Sequence, residues 1–459
     1  MSERNAVARR IILASMVGAL LVAIGIALIP ATSNAAVGCD LVATTTGSDG
    51  ALGTEDAPLR SAQKLADTLS PGQTGCLAGG LFATDSTIKV TTPGITLTSY
   101  PGTRATLKGR LWIAADRVTV ENLDLDGRNG EIGPRSPTIT AADVTFRGND
   151  VTNHHGATSC FGLGNSPYGR AVRTLIVDNR IHDCGRLPSQ NYDHGIYVQE
   201  ATDVVIRDNY IYDNVDRGIQ LYPDAQGTRI TGNVIDGNGE GIIFSGSGSR
   251  VSNNNVVTNN VIANSKIRYN AESGGDGAVG KGNVVRDNCV WASNPAKSGY
   301  YNRNGGIQSP SKNFTSTSNR IAKPVYVNRS AGNLSLASNS GCLGVLGTPT
   351  LARSSAPDVT ALQHGKRVIV KLHAGARRVL ATAAGSLTVK RRTYALAKVT
   401  RNVGDGNRAV LRLKPKRVRA RRALRRALKH RRKVRAPIST TLVDDLGHRV
   451  VKRQTVRLR

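Results

Sequence analysis

One spaced pattern of apolar and polar positions recurs through the middle of the chain. An apolar residue is followed by two free positions, an asparagine, one free position and a second apolar residue. The asparagines of the six copies lie 30, 30, 24, 27 and 28 residues apart, at Asn149, Asn179, Asn209, Asn233, Asn260 and Asn288. This spacing suits one turn of a right-handed parallel β-helix, in which equivalent residues stack from rung to rung. The pattern therefore predicts an all-β solenoid with a buried ladder of asparagine amides.

The flanking patterns predict how the solenoid begins. The stretch 118–125 keeps the apolar spacing but has Leu123 in the asparagine position, so the ladder starts one rung later. Before it, a helix opening at Asp56-Ala57-Pro58 is expected to cover the first rung, because a stack exposes the apolar cross-section of its end. The apolar face of that helix consists of Leu59, Ala62, Leu65, Ala66 and Leu69. The β-helix with this cap is expected to span residues 36–350.

The C-terminal part of the chain predicts a second fold unit. Residues 351–364 are typical of a linker, and residues 365–459 predict a small β-sandwich. Its strands are expected in the alternating runs Val368–Leu372, Leu387–Val389, Ala409–Leu413, Ile438–Val443 and Val450–Leu458. Asp444-Asp445-Leu446-Gly447 is typical of a tight hairpin turn. One basic helix, Val418–Lys433, is expected between these strands, with Ala420, Leu424, Ala427 and Leu428 on its apolar side.

The first 35 residues have the pattern of an export signal. Three arginines among the first ten residues precede an apolar run from Ile11 to Ile29, and the small residues Ser33-Asn34-Ala35 follow. We expect cleavage after Ala35, a secreted or surface-associated protein, and no membrane span in the mature chain. The apolar run has 19 residues, which is longer than an ordinary signal core, so an uncleaved membrane anchor is the alternative.

The six cysteines predict disulfide bonds, because an exported chain folds in an oxidising compartment. The rung arrangement selects among the pairings. Cys160 and Cys184 fall in neighbouring rungs, Cys39 and Cys76 belong to the N-terminal end, and Cys289 and Cys342 belong to the C-terminal end. We predict those three bridges. A zinc site is the alternative, but the thiols are dispersed and no CxxC pair occurs.

The net charge of +30 is concentrated in the C-terminal tail. Residues 353–459 hold 31 of the 62 Lys and Arg and 4 of the 32 acidic residues, which leaves 31 − 28 = +3 for residues 1–352. The solenoid is therefore close to neutral, and charge does not identify its ligand. The tail is expected to bind an anionic cell-wall polymer or polysaccharide, with membrane headgroups as an alternative. Nucleic acid is not expected, since the chain is exported and has few aromatic residues near the charge.

Several phrases carry a family resemblance. Asp56-Ala-Pro-Leu-Arg, Leu69-Ser-Pro-Gly-Gln and Ile95-Thr-Leu-Thr-Ser-Tyr-Pro-Gly resemble the first rungs of secreted pectate-lyase-like β-helix proteins, over roughly residues 50–345. The tail phrases Arg419-Ala-Arg-Arg-Ala-Leu and Leu442-Val-Asp-Asp-Leu-Gly-His resemble an immunoglobulin-like C-terminal domain of exported actinobacterial proteins. The first resemblance implies a protein that cleaves, epimerises or binds polysaccharides, and the second implies a bacterial one.

A second strand in three successive rungs carries the candidate chemistry. The phrases Asp193-His194-Gly195, Asp216-Arg217-Gly218 and Gly239-Glu240-Gly241 place their last glycines 23 residues apart both times. The strands should therefore lie in register, with neighbouring rungs about 4.8 Å apart. Charged and titratable side chains of successive rungs would then meet on one surface, from which Tyr197 and Gln220 point outward.

This arrangement favours chemistry on a uronate sugar. Lyase β-elimination and C5 epimerisation both remove a proton α to a carboxylate, and both need a base of near-neutral pKa and a cation over that carboxylate. We assign His194 as the base, Arg217 as the cation that keeps His194 neutral, and Tyr197 as the proton donor, with Asp193 beside them. The expected substrate-binding residues are Gln220, Glu240, Asp216, His154, His155 and His182.

Other interpretations of these residues stay open. Asp and His often precede a turn glycine because they bond their own backbone, and Arg217 with Glu240 could form an ordinary exposed ion pair. The carboxylates Asp193 and Asp216 would suit hydrolysis. However, the sequence lacks the Asp-Pro-His phrase of mannuronan epimerases and the Asn-Thr-Asp and Gly-His-Gly pairing of pectin-hydrolysing glycosidases.

Calcium is the candidate cofactor, because many β-helix lyases use it to bridge uronate carboxylates. The available oxygen donors are Asp183, Asp213, Asp216 and Glu240. Taken together, the sequence favours a secreted, monomeric lyase or C5-epimerase acting on an acidic polysaccharide. A non-catalytic glycan-binding or surface-structural β-helix is the alternative.

Overall fold

The computed structural model describes residues 38–128, 135–275, 277–293, 303–346, 358–364, 367–373, 379–389, 392–403, 408–430, 434–444 and 449–458. The predicted export signal, the first half of the predicted linker and the hairpin turn after Asp444 lie outside these residues. Within them the protein is all-β, as predicted, with two α-helices, Ala62–Thr68 and Val418–Lys429. Neither of these two described helices is long and apolar enough to cross a membrane.

Three sheets wind into a coil across the described solenoid. The first has 11 strands, Leu41–Ala43, Thr74–Leu77, Thr96–Ser99, Thr119–Glu121, Thr145–Arg147, Leu175–Val177, Val205–Arg207, Arg229–Thr231, Val256–Thr258, Val284–Arg286 and Thr315–Thr317. The second has 10, Gly80–Ala83, Ala105–Lys108, Asp124–Asp126, Asp150–Thr152, Arg180–His182, Tyr210–Tyr212, Val234–Asp236, Val261–Ala263, Cys289–Trp291 and Arg320–Ile321. The third has 10, Ile88–Val90, Leu111–Ile113, Thr138–Ile139, Phe161–Leu163, Ala171–Val172, Ile196–Thr202, Arg217–Gln226, Glu240–Ser247, Arg250–Val251 and Ala271–Gly274.

Strand pairing in the coil joins equivalent residues of successive rungs. In the first sheet Phe146 pairs with Ile176, which pairs with Ile206, and the pairing is parallel. The described exception to parallel pairing is Arg250–Val251, which folds back antiparallel on Glu240–Ser247. Inward-facing side chains of successive strands stack along the coil, so the core is a continuous column of Val, Ile, Leu and Phe rather than a compact centre.

The predicted asparagine ladder is confirmed. The backbone N–H of Asn179 donates to Oδ1 of Asn209 at 2.9 Å, and Asn209 donates in the same way to Asn233 at 2.9 Å. The ladder begins where predicted, since the Leu123 N–H donates to Asn149, and it continues to Asn319. Every ladder amide in the described coil follows a residue with positive φ, a conformation that Gly, Asn and Asp adopt most readily.

Two further asparagine ladders stack at other corners of the coil. In one, the Asn214 N–H donates to Asn238 at 3.1 Å, and in the other the Asn255 N–H donates to Asn283 at 2.9 Å. The sequence analysis missed these shorter ladders, although Ile211 and Ile235 precede Asn214 and Asn238 at the same spacing. Together the ladders give buried corner amides hydrogen-bond partners, which lets the backbone turn sharply without unpaired donors.

A helix covers the N-terminal end of the coil, and a hairpin packs against its side. The cap helix begins at Ala62, with the Ser61 side chain accepting from the Lys64 N–H at 3.1 Å. We predicted a start at Asp56, but Leu59 pairs with Ala43 as an isolated bridge and stays extended. A hairpin of Tyr326–Asn328 and Asn333–Leu336, joined by the 3₁₀ turn Arg329–Ala331, packs on the outer face of the second sheet, against Tyr212 and Val234.

All three predicted disulfides are present. Cys39 is bonded to Cys76, Cys160 to Cys184, and Cys289 to Cys342. Cys160 and Cys184 lie in neighbouring rungs, so this bond fixes one coil turn to the next. Three disulfides are consistent with folding in an oxidising compartment.

Two antiparallel sheets and the basic helix follow the coil. One sheet contains Asp358–His364, Arg367–His373 and Arg408–Leu413, and the other contains Val379–Val389, Arg392–Ala395, Val399–Val403, Val434–Asp444 and Arg449–Leu458. The five predicted strands are present, and all are longer than predicted. Residues 358–364, which we assigned to the linker, form a strand that pairs with Arg367–His373. The two sheets share an apolar core with the helix face of Leu424 and Ala427. The immunoglobulin-like resemblance stays a prediction.

Candidate functional site

The predicted register of the candidate strands is confirmed. Ile196 pairs with Ile219, and Ile219 pairs with Ile242, so the three phrases stack in the third sheet. Tyr197 and Gln220 occupy one outward column, as predicted. The same column runs back through Gly162 and Thr138 to Trp112.

His194 lies beneath this surface rather than on it. Its side chain is 2% exposed, and its Nδ1 accepts from the Arg217 backbone N–H at 3.4 Å. Burial, with the nearby charges of Arg217 and Arg135, lowers the pKa of His194 well below its usual value. The imidazole is therefore neutral, as a base should be, but a bound polysaccharide cannot touch it without displacing its cover. The predicted open position of His194 is wrong, because its ring packs against Tyr197 and against the backbone of Arg217.

Arg217 is also internal, with 3% exposure. Its Nε lies 3.1 Å from Oε2 of Glu240, and Nη1 donates to the backbone oxygen of Asn191 at 3.0 Å. Thus neither the predicted contact with a substrate carboxylate nor an exposed ion pair describes this side chain. A buried pair is retained here because each charge would be costly without the other.

Glu240 belongs to a larger buried charge cluster. Arg268 contacts Glu240 at 2.8 Å and Glu272 at 3.3 Å. Burial, followed by the charge of Glu240, raises the pKa of Glu272 to about 7. Glu240 itself is buried, with Oε1 against Arg268 and Oε2 against Arg217, which argues against its predicted contact with substrate.

Asp193 and Asp216 have protein partners instead of facing each other as two free acids. Asp193 accepts from the Arg186 Nε at 2.8 Å, and Asp216 accepts from the Asp193 backbone N–H at 2.7 Å and from the Ser189 hydroxyl. Both carboxylates are buried. Hydrolysis by this pair is not supported, because both carboxylates hold the loop before the strand.

Tyr197 is the predicted catalytic residue that reaches the surface, with 9% exposure. Its ring meets His194 edge-on at 5.7 Å between centroids and is nearly parallel to Tyr222 at 6.4 Å. Burial raises the pKa of Tyr197 to about 12, although the charge of Arg135 opposes the shift. The phenol is therefore protonated at neutral pH and can donate a hydrogen bond or a proton.

Arg135, which the sequence analysis missed, supplies the cation of this surface. Its guanidinium carbon lies 4.3 Å from the centre of the Tyr197 ring, and Nη1 donates to Gln199 at 2.8 Å. The side chain crosses Gly162, where an added Cβ would lie 2.8 Å from the Arg135 Cδ. Glycine at this position of the strand therefore makes room for the cation to stack on the tyrosine.

A second aromatic group lies three rungs away, about 14 Å along the coil at the usual strand spacing. Trp112 meets Tyr168 edge-on at 5.3 Å, and Lys89 Nζ lies 4.3 Å from the Trp112 ring centre. Tyr168 is 62% exposed. The third sheet thus presents two aromatic groups, each with a cation, on one side of the coil.

The three other predicted histidines do not join this surface. His182 lies in the second sheet, between Asp150 and Asp183 at 2.8 Å each, and its ring stacks on Tyr212 at 4.8 Å. Burial opposes protonation, but the two carboxylates outweigh it and raise the pKa of His182 to about 9. His155 lies 3.5 Å from Asp183. His154 is exposed at a turn, with its backbone N–H bonded to Thr152.

The proposed calcium donors are not collected into one site. Asp183 pairs with His182, Asp213 with Arg329 and Lys266, Asp216 accepts from Ser189, and Glu240 pairs with Arg217. In the described part of the chain, no group of three or more His, Cys, Asp or Glu residues could hold a metal ion. These residues therefore do not fit a calcium ion of several carboxylate ligands, and no step is assigned to one.

Comparison with known proteins confirms the fold class. Residues 114–262 match the family described as right handed beta helix region. Among solved structures, the chain is similar to pectate lyase Pel9A, at 13% identity and a TM-score of 0.48 over 68% of this chain and 92% of that one. It is also similar to a rhamnogalacturonan lyase, at 12% identity and a TM-score of 0.40 over 61% and 86% of the two chains. No curated protein matches the chain. Similarity at these values says nothing about substrate.

Proposed function

We propose that the protein binds an acidic polysaccharide along the outer face of the third sheet. The observation that carries this proposal is the stack of Arg135 on Tyr197, 4.3 Å apart, with Tyr222 alongside. Arg135 covers one face of the Tyr197 ring, so its guanidinium is the group that would pair with a carboxylate in a bidentate geometry, and the partly exposed Tyr222 ring beside it would offer an aromatic face to the sugar. A uronate is the sugar unit that satisfies both side chains at once.

The aromatic pair of Trp112 and Tyr168 extends the same face by three rungs. A polymer that lies along the coil axis would contact both groups, with Gln220 and Gln199 offering polar atoms near the Tyr197 end. Binding over several sugar units would let an open sheet face hold its ligand. Many weak contacts replace one enclosed site.

A second candidate function is eliminative cleavage or C5 epimerisation of the bound uronate. The observation in its favour is Tyr197, a protonated and nearly buried phenol that touches the proposed carboxylate-binding cation. Tyr197 would donate a proton to the leaving oxygen or to the opposite sugar face, while a solvent water molecule would accept the C5 proton, since His194 is covered. His194 would then support the Tyr197 ring from below as a positioning residue, and would not touch the substrate.

The binding proposal is tested by titrating the protein with polygalacturonate and alginate oligosaccharides, and with neutral xylan oligosaccharides as the reference. Arg135→Ala should weaken binding of the acidic ligands about tenfold, since the loss of one charge-assisted pair costs about 1.4 kcal/mol. Arg173→Ala is the matched control, because Arg173 is an exposed arginine paired with Asp143 beside the first sheet. Equal effects of both substitutions, or equal binding of the neutral ligand, would reject the assignment.

The catalytic proposal has its own readout. Incubation with the same acidic polymers should produce the absorbance of an unsaturated sugar if elimination occurs, and exchange of the C5 proton with solvent if epimerisation occurs. Tyr197→Phe should abolish either signal while leaving ligand binding within about twofold, because the ring and its cation contact stay. Full binding with no product from the wild-type protein would identify a non-catalytic binder.

A further inference from the structure

A cavity in the C-terminal sheets is independent of the polysaccharide surface. It has a volume of about 370 Å³ and lies where the basic helix Val418–Lys429 crosses the two sheets. Its apolar wall includes Leu387, Leu396, Leu413 and Leu424, all from the core of this part of the chain. A volume at the small end of ligand cavities suits one chain end rather than a whole drug-sized molecule.

The mouth of the cavity is strongly basic. Arg367, Lys414, Arg421 and Arg425 line it, and no described acidic side chain pairs with any of them. The Arg421 Nε donates to the Pro415 carbonyl at 3.3 Å, which fixes this guanidinium at the rim. Several positive charges around one opening repel each other, and a bound anion would reduce this repulsion in the folded chain.

We propose that this cavity binds a single acyl chain whose phosphate headgroup lies among the rim arginines. The apolar wall accounts for the chain, and the forked donors of Arg421 and Arg425 account for the phosphate, which accepts bidentate hydrogen bonds. An anionic phospholipid at a membrane surface has both parts. A purely electrostatic contact of the basic helix with an anionic polymer would need the charges but would leave the cavity without a role.

The two explanations differ in which arginines matter. Arg421 and Arg425 line the cavity, whereas Arg422 and Arg426 are exposed on the same helix and do not. The double substitution Arg421→Gln/Arg425→Gln and its control Arg422→Gln/Arg426→Gln remove the same charge from the same helix. Binding in the cavity predicts loss in the first variant alone, and charge attraction predicts equal loss in both.

The test uses the full chain and a short-chain lysophosphatidic acid that is monomeric in solution, with binding measured by calorimetry. Inorganic phosphate and the alcohol of the same chain length are the two half-ligands, and each should bind at least tenfold more weakly. Arg421→Gln/Arg425→Gln should weaken binding at least tenfold, and Leu424→Trp, which fills the cavity, should do the same. The first variant leaves the core unchanged, so the experiment is decisive even if the second fails to fold.

Vesicles then identify the source of the ligand. Flotation with phosphatidylcholine vesicles, with and without phosphatidylglycerol, should recover more protein when the anionic lipid is present, and the rim variant should lose this difference. The apolar run of residues 11–29 is present in every variant, so its contribution to flotation is the same in each comparison. Binding of phosphate as tight as that of the amphiphile, or equal losses in the two double variants, would overturn the proposal.

Discussion

The asparagine ladder gives the sharpest test of the fold, through Asn209→Ala. Oδ1 of Asn209 accepts from the Asn179 backbone N–H at 2.9 Å and from the Asn179 amide at 3.0 Å, and Nδ2 donates to Ile176 at 3.0 Å and to Asn233 at 2.9 Å. All of these groups are buried. The substitution therefore leaves one backbone donor without a partner and breaks three other hydrogen bonds.

The expected cost follows from these contacts. The orphaned Asn179 N–H costs about 1–3 kcal/mol, and each of the three other bonds contributes about 1 kcal/mol, which gives about 4–6 kcal/mol in total. The control is Asn319→Ala at the last rung, which also breaks four hydrogen bonds. Asn319 is partly exposed, so water can replace its bonds, and a loss of about 1 kcal/mol is expected.

Guanidinium unfolding followed by far-ultraviolet circular dichroism measures both variants. The slope of the transition should be compared with that of the wild type, because a solenoid with a broken ladder can unfold in segments. Similar small losses for Asn209→Ala and Asn319→Ala would refute the argument that burial makes the ladder essential.

Three further predictions test the site and the framework. The pKa of His182 is about 9 in the folded protein against 6.5 in the unfolded chain, so its protonation should add about 3 kcal/mol to the free energy of unfolding. This contribution should be complete below pH 6.5 and disappear as the pH rises through 9. The same stability difference between the wild type and His182→Gln at about pH 6 and at about pH 10 would contradict this. Replacing Cys160 and Cys184 by serine opens a loop of sequence separation 24 and should lower the free energy of unfolding by about 3 kcal/mol. An unchanged unfolding midpoint under non-reducing conditions would show that the bond adds no stability. Gly162→Val should displace Arg135 and reduce acidic-glycan affinity as much as Arg135→Ala does, with no further loss when both are combined, whereas additive losses would separate the two residues.

The fold could be predicted from the sequence because each turn of a solenoid is formed by one short, repeated stretch of the chain. Each copy of the motif, from Asn149 to Asn288, has the same order of apolar and polar residues, and successive copies are one coil turn apart. The same local logic selected the pairing of Cys160 with Cys184, since neighbours in the coil are one repeat apart in the chain. Register between the strands that begin near Gly195 and Gly218 followed from equal spacing as well.

The solvent exposure of the candidate site residues could not be predicted in this way. His194 and Arg217 occupy the predicted positions, but both are buried. The segment between Cys184 and Asp193 folds against Asp216 and Arg217, through Ser189 and Asn191, and Tyr197 packs on His194. This segment has no repeat pattern, so nothing in its spacing says which side chains it covers. Burial then changes the chemistry, because a covered arginine pairs with Glu240 and not with a ligand.

The sequence alone determined the coil, its register and its covalent bonds, because these depend on contacts between residues one repeat apart. The tertiary structure decided which polar groups face the solvent, because that depends on segments that follow no period and on side chains that cross rungs. Arg135 reaches Tyr197 from a position 62 residues earlier, across Gly162 in the strand that lies between them. Such a contact exists only once the coil has formed.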